Sequence, residues 1–333
     1  MNIYDVSEHA HVSIATVSRV INGNPNVSEK TRKRVLDVME ELGYTPNVFA
    51  RSLGLNTMKT IGIMCADSSD PWLAEAIYYL EKELRGNGYD SLLCCTGYLP
   101  ETKKKYLELL RSKRVDAIIL TGSHYIEAKA KDNAYLIEAA KDLPIMLVNG
   151  SLDGEQIYST VCDDHAAVYD ATLRLYHSGR SSVLYLYSGN SFSNLHKISG
   201  YRAAVRDAGF LIREELMVLC HKDLDAAMDR LDTLSRSGVH FDAVLASEDI
   251  LAVGAVKYAD KAGLKVPQDL SIIGYNNSIL SKCTTPEITS VDNKVEALCT
   301  TTVNTLMKVL EVGNVPTKTT ITPELVKRGT TNF

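Results

Sequence analysis

Long apolar runs are missing from this sequence. Stretches such as Leu143 to Val148, with Pro144 inside, fall far short of the roughly 18 residues that a membrane-spanning helix needs. The opening Met1-Asn2-Ile3-Tyr4-Asp5 is too polar for a secretory signal, so the expectation is a soluble, cytoplasmic chain with no membrane partner. Cysteines are few and unpatterned: the seven (Cys65, Cys94, Cys95, Cys162, Cys220, Cys283, Cys299) are an odd number and contain no CxxC pair. That suits neither a secreted disulfide framework nor a zinc ribbon, and they read as reduced, mostly buried thiols. The signatures of common two-lobed enzymes are also lacking: there is no GxGxxG after a strand, no GxxxxGK[ST], no GxSxG and no HExxH. The eight histidines are scattered, and His9-x-His11 reads as surface rather than as a metal pair. No catalytic residue, metal or cofactor is expected. Nor does charge announce a partner, because 36 basic and 41 acidic residues leave a net charge of −5.

What is present fits an ordinary globular protein, with 45% hydrophobic and 23% charged residues. A length of 333 residues implies about two domains at roughly 150 residues each, with room for a small extra module. From Thr60 onward, short apolar or β-branched runs alternate with helical patterns. Strands are expected at Ile61 to Cys65, Ser91 to Cys95, Ala117 to Leu120, Ile145 to Val148, Val183 to Tyr187, Ala243 to Ala246 and Ser271 to Gly274. Helices are expected between them, among them Trp72 to Arg85, Ala128 to Lys141, His196 to Ala208 and Val295 to Leu310. Two short runs, Thr319 to Thr322 and Glu324 to Val326, end the chain. This alternation implies two doubly wound parallel sheets covered by helices.

The first 57 or so residues have no strand signal and carry six basic and six acidic residues, so the head is neutral. Val6 and Ala10 sit four apart before a turn at His11-Val12, where a residue tolerant of φ > 0 is favoured. Ser13 then caps a second helix whose Val17, Val20 and Ile21 share a face, leaving Ile14, Ala15, Ser18 and Arg19 outward. Arg19 could offer a bidentate fork to guanine, Ser13 and Ser18 could donate to phosphate or base, and Ile14 with Ala15 could touch a thymine methyl. Ser28 caps a third helix that packs through Val35, Met39 and Leu42 and stops at Gly43. By pattern alone, a small interaction bundle with a solvated Arg19 fits as well as a DNA reader.

The stretch from Ile3 to Gly23, with Asn24-Pro-Asn-Val-Ser-Glu-Lys-Thr-Arg32, Leu42-Gly-Tyr-Thr-Pro-Asn47 and Ala50-Arg-Ser-Leu53, closely resembles the head of the LacI/GalR bacterial transcription regulators. Pieces similar to that family recur at Pro267 to Asn276, Thr289-Ser-Val291 and Glu324 to Arg328, so the resemblance spans essentially the whole chain. It implies an α/β two-lobed core like the periplasmic binding proteins, with an N-terminal all-α helix-turn-helix domain. The boundaries expected are 1–57 for the head with a hinge helix and 58–333 for the core. Within the core, one lobe would take about 58–160 and 291–318, and the other about 161–290 and 319–333.

By the same resemblance, the protein would be a homodimer that binds a near-palindromic double-stranded operator, most simply as a repressor, under control of a small-molecule effector such as a sugar or sugar derivative. Ser13, Ile14, Ala15, Ser18 and Arg19 would read bases, and Tyr4, Thr16, Asn22 and Thr31 would hold phosphates. Asn47, Ala50 and Leu53 match hinge positions that enter the minor groove, with Leu53 as a wedge; Gly54 stands where alanine is usual. The effector would meet Trp72, Ser123, Asp163, Ser191, Ser193, Lys197, Glu248 and Asn276. Trp72 could stack on a ring or simply pack, and Lys197 could be a solvated lysine. Asn276 replaces the usual aspartate, and Glu248 stands where asparagine is commoner. The catabolite control proteins are the most similar-looking branch, but of the basic pair that docks their phosphoprotein partner only Lys308 is present, the other position being Asn304. The alternatives are a regulator under a protein corepressor, a two-lobed small-molecule-binding protein, or an enzyme.

Overall fold

A computed structural model describes residues 1–44, 57–311, 313 and 315–333. It separates into a small N-terminal unit and a large core.

The N-terminal unit holds three helices: α1 (Ile3–His9), α2 (Ile14–Ile21) and α3 (Glu29–Glu41). Local chemistry starts each of them. Asn2 and Asp5 form a reciprocal capping box on α1, Ser13 caps α2 and Ser28 caps α3. Each cap is worth about 1 kcal/mol. His11 turns the chain between α1 and α2 at φ 52°, the left-handed conformation expected there. Val6, Ala10, Val17, Val20, Val27 and Val35 make the core, and Met39 and Leu42 pack against it. The expected hinge positions Asn47, Ala50 and Leu53 lie outside the described residues.

The core has two lobes, each built on a six-stranded sheet. In lobe 1 the strands are β1 (Thr60–Cys65), β2 (Asp90–Cys95), β3 (Ala117–Thr121), β4 (Ile145–Val148), β5 (Ile157–Cys162) and β11 (Lys318–Ile321), in the order β2-β1-β3-β4-β5-β11. Lobe 2 repeats this plan with β6 (Val183–Tyr187), β7 (Met217–Leu219), β8 (Ala243–Ala246), β9 (Ser271–Tyr275), β10 (Thr289–Asp292) and β12 (Glu324–Val326), ordered β7-β6-β8-β9-β10-β12. Strand β12 runs antiparallel to β10. Helices α4 (Pro71–Gly86), α5 (Pro100–Ser112), α6 (Ala134–Ala139) and α11 (Val295–Glu311) cover lobe 1. Lobe 2 is covered by α7 (Asp164–His177), α8 (Phe192–Asp207), α9 (Leu224–Arg236) and α10 (Asp249–Ala262). Each lobe buries its own apolar cluster, around Ile61, Ile63 and Ile119 in one and Leu184, Val244 and Ile272 in the other. None of the described helices is long and apolar enough to cross a membrane.

Several expectations shift. The helix expected over Ala128 to Lys141 is only a tight turn, Ala130–Asn133, followed by α6. Buried Asn133 explains this: its side chain accepts from Glu127 N at 2.8 Å and donates to Glu127 O at 2.9 Å, closing a loop where a helix would run. Helix α8 begins at Phe192 rather than His196, because Ser191 caps it through Asn194 N. Strands β5, β7 and β10 were not expected. The chain crosses between lobes after β5, after β10 and between β11 and β12.

Candidate functional site

The N-terminal unit offers one face. On α2, Ile14, Ala15 and Arg19 are exposed and Ser18 is half-buried, while Val17 and Val20 point into the bundle. Among the described residues the guanidinium of Arg19 makes no hydrogen bond or ion pair, and the side chain is exposed with five donors to offer. Ser13 is already engaged, its Oγ accepting from Thr16 N at 3.2 Å and lying 2.9 Å from Thr16 Oγ1. Tyr4 is exposed at the start of α1. Thr31 Oγ1 lies 2.9 Å from Ser28 Oγ, and Asn22 keeps a buried Oδ1 without a partner. Arg32 is structural, donating to Asn24 O at 2.7 Å across the loop between α2 and α3.

The second site follows from sheet topology. In each lobe the strand order reverses at one place, between β1 and β3 in lobe 1 and between β6 and β8 in lobe 2. Loops leaving the carboxyl ends of such strands diverge and open a crevice. Here the two crevices face each other, and an open, polar cleft lies between them. It brings together Trp72, Ser123, Ser191, Ser193, Lys197, Glu248 and Asn276, seven of the eight effector positions expected. Asp163 is the exception. It sits one residue beyond β5, where its Oδ1 caps α7 by accepting from Ala166 N at 3.0 Å, and it lines a separate hollow with Asp170 and Glu324.

Hydrogen bonds already cross the cleft. Ser123 Oγ of lobe 1 donates to Ser191 Oγ of lobe 2 at 2.9 Å. Trp72 packs in the lobe 1 core with its indole edge at the cavity, and its Nε1 donates to Asn293 Oδ1 at 3.2 Å. Asn293 Nδ2 in turn donates to Asn276 Oδ1 at 3.0 Å. Trp72 is thus both a packing residue and a cleft residue.

Lys197 is not solvated. It is buried, its Nζ donates to Ser247 O at 3.0 Å and lies 3.5 Å from the centre of the Tyr275 ring. Burial pulls its ammonium below the ordinary lysine value, while Asp164 and Glu248 oppose that shift. Tyr275 Oη donates to Asp164 Oδ1, and burial holds the phenol well above its usual range.

The sequence reading missed Asp70, His124, Asn149, Asn194, Lys222 and Asn293. Lys222 pairs with Asp70 of lobe 1 and Glu248 of lobe 2 at once. Burial works against its ammonium, but Glu248 and Asp70 outweigh it and hold it above the ordinary value. His124 is pulled below its usual value by burial and by the nearby Lys222 charge. The one available signal was Asp70-Pro71, a cap followed by a helix-starting proline. Among the described residues no group of acids, histidines and cysteines is placed to hold a metal. Asn304 and Lys308 are both exposed on α11, so that face carries one base and not two.

Comparison with known proteins places this geometry. Residues 2–47 match the family model for bacterial regulatory proteins of the lacI family, and residues 58–328 match the model for periplasmic binding proteins and the sugar binding domain of the LacI family. An HTH-type transcriptional regulator of Lachnoclostridium phytofermentans is 60% identical over 333 residues, covering 100% of both chains. Catabolite control protein A of Priestia megaterium is 32% identical over 294 residues, 87% of each chain. Among solved structures, the lac repressor dimer bound to operator and the anti-inducer ONPF has a TM-score of 0.88 at 23% identity, covering 99% of this chain and 98% of that one. At that identity the likeness speaks for the fold.

Proposed function

Because this chain belongs to the LacI family of bacterial regulatory proteins, we propose that it represses transcription by binding a near-palindromic operator as a homodimer, and that a small molecule in the cleft sets its grip. It is a transcriptional regulator and not an enzyme. The observation that carries the reading is the outward face of α2, where Arg19 stands exposed and, among the described residues, unpaired beside Ile14 and Ala15. A helix so placed presents its first turns to base edges, with one arginine able to fork onto guanine. Tyr4, Thr16, Asn22 and Thr31 border that face as phosphate partners, and Asn47, Ala50 and Leu53 supply the hinge in the minor groove. Residues 1–57 are the reading head and 58–333 the effector core, at work in the cytoplasm where the DNA lies.

A second copy is supported by β2, an edge strand of lobe 1 that leaves Leu92 and Leu93 exposed. An apolar sheet edge calls for a cover. For the effector, the cleft offers hydroxyls and amides from Ser123, Ser191, Asn276 and Asn293, and its two lysines balance Asp70 and Glu248. That lining suits a neutral or anionic polyol, such as a sugar derivative, over a cation. The test is selection of bound duplexes from a random pool by the full chain. Enrichment of a two-fold symmetric site with half-sites about 10 bp apart is expected. A pool that stays random after repeated rounds would end the proposal.

A further inference from the structure

The cleft contains a ligand of its own making. Lys222 leaves lobe 2 in the loop between β7 and α9, and its Nζ is paired on one side with Asp70 and on the other with Glu248. Asp70 belongs to lobe 1, so this ion pair joins the two lobes across the mouth of the cleft, whereas Lys294 and Glu324 pair beside the crossing segments.

Both carboxylates are fixed by other bonds. Asp70 caps α4, its Oδ1 accepting from Trp72 N at 2.9 Å and Leu73 N at 3.0 Å, which leaves Oδ2 to the lysine. Glu248 accepts from Ser188 through Oε1 and meets Lys222 through Oε2. The Asp70 and Glu248 side chains are 7% and 11% exposed, against 36% for Lys222. The acids are therefore rigid and desolvated, while the cation stands on a flexible four-carbon stem with a way out to water. Take the ammonium away and two buried carboxylates from opposite lobes are left without a counter-charge, which favours separation of the lobes.

We propose that Lys222 is an internal occupant of the cleft, a latch that holds the lobes together before any effector arrives and that an effector must displace to reach Asp70 and Glu248. The latch also bears on selectivity. A free cation competes with a tethered one for the same seat, whereas a polyol brings hydroxyl donors that can take over one carboxylate oxygen at a time. This extends the reading of the cleft as the effector site, but its test uses neither DNA nor effector, so the two stand or fall separately.

The measurement is hydrogen exchange by mass spectrometry on the full chain without ligand, for the parent, Lys222→Ala and Lys222→Arg. Lys222→Ala should speed exchange severalfold in the cleft loops of both lobes, around 122–126 in one and 188–194 in the other, with the central strands unchanged. Lys222→Arg should keep the parent rates. Adding tens of millimolar propylammonium chloride should restore protection to Lys222→Ala and leave the parent unaffected, because the free amine fills the seat between the acids. Parent-like rates in Lys222→Ala, faster exchange confined to 220–224, or no response to the amine would overturn the latch. Should Lys222→Ala lose protection in the central strands as well, Glu248→Gln is read by the same criterion: faster exchange on both sides of the cleft supports the latch, and unchanged rates refute it.

Discussion

The indole nitrogen of Trp72 donates to Asn293 Oδ1 at 3.2 Å, a bond between residues 221 positions apart. It ties the first helix of lobe 1 to the second crossing between the lobes, and through Asn293 to Asn276 on lobe 2. Both partners are buried.

Trp72→Phe should therefore cost more than the lost contact area. The Asn293 oxygen would be left buried without its donor, a penalty of about 1–3 kcal/mol. Urea unfolding followed by circular dichroism, with the denaturant slope unchanged, reads this directly. A variant as stable as the parent would mean that the bond contributes nothing.

Gly200 on α8 marks where α7 and α8 approach most closely. A Cβ there would lie 2.2 Å from His165 O and 3.1 Å from Tyr169 N, both backbone atoms that cannot swing aside. Gly200→Ala, normally favourable in a helix, should destabilise lobe 2 by about 1–3 kcal/mol. Gly86→Ala at the end of α4, with open space around it, should be neutral or slightly stabilising, and thermal unfolding of both variants beside the parent reads the difference.

Asp249 carries a pH signature. Burial is the main cause that lifts its carboxyl from 3.8 to about 6, against hydrogen bonds from Ser290 and Ser278 that pull it down. With the folded value above the unfolded one, the folded state holds the extra proton between about pH 4 and 6. Its contribution to stability is then greatest below pH 4 and is lost as pH rises towards and through 6. The stability of the parent relative to Asp249→Asn should fall over that window by at most about 1.4 kcal/mol per pH unit. A difference that is flat with pH, or that rises, would refute the assignment.

The legible parts of this protein were the local ones. The left-handed His11, the Ser13 and Ser28 caps and the buried stripe of the head follow from neighbours a few residues apart, and the structure shows each of them. Strand β5 (Ile157–Cys162) escaped because it is buried along its whole length, so it shows no alternation, and Ser159 and Thr160 break its apolar run. Asp163 was placed in the cleft by the family resemblance, but the chain enters α7 at once and uses the carboxylate as a cap. Asp70 and Lys222 escaped for the opposite reason. Their pairing spans 152 positions, and nothing near either residue announces the other.

Arg19 is the exposed cation on the outward face of α2 and, among the described residues, has no partner. The decisive measurement is the ratio of affinities for selected operator and random duplex, taken by fluorescence anisotropy at one fixed salt concentration for the parent and Arg19→Ala. The parent should prefer operator by a factor of roughly 1,000 or more. Arg19→Ala should lose about 1–3 kcal/mol of that preference per half-site while its thermal stability and random-duplex binding stay near the parent's. An undiminished preference in the variant would contradict the assignment of this helix as the reader of sequence.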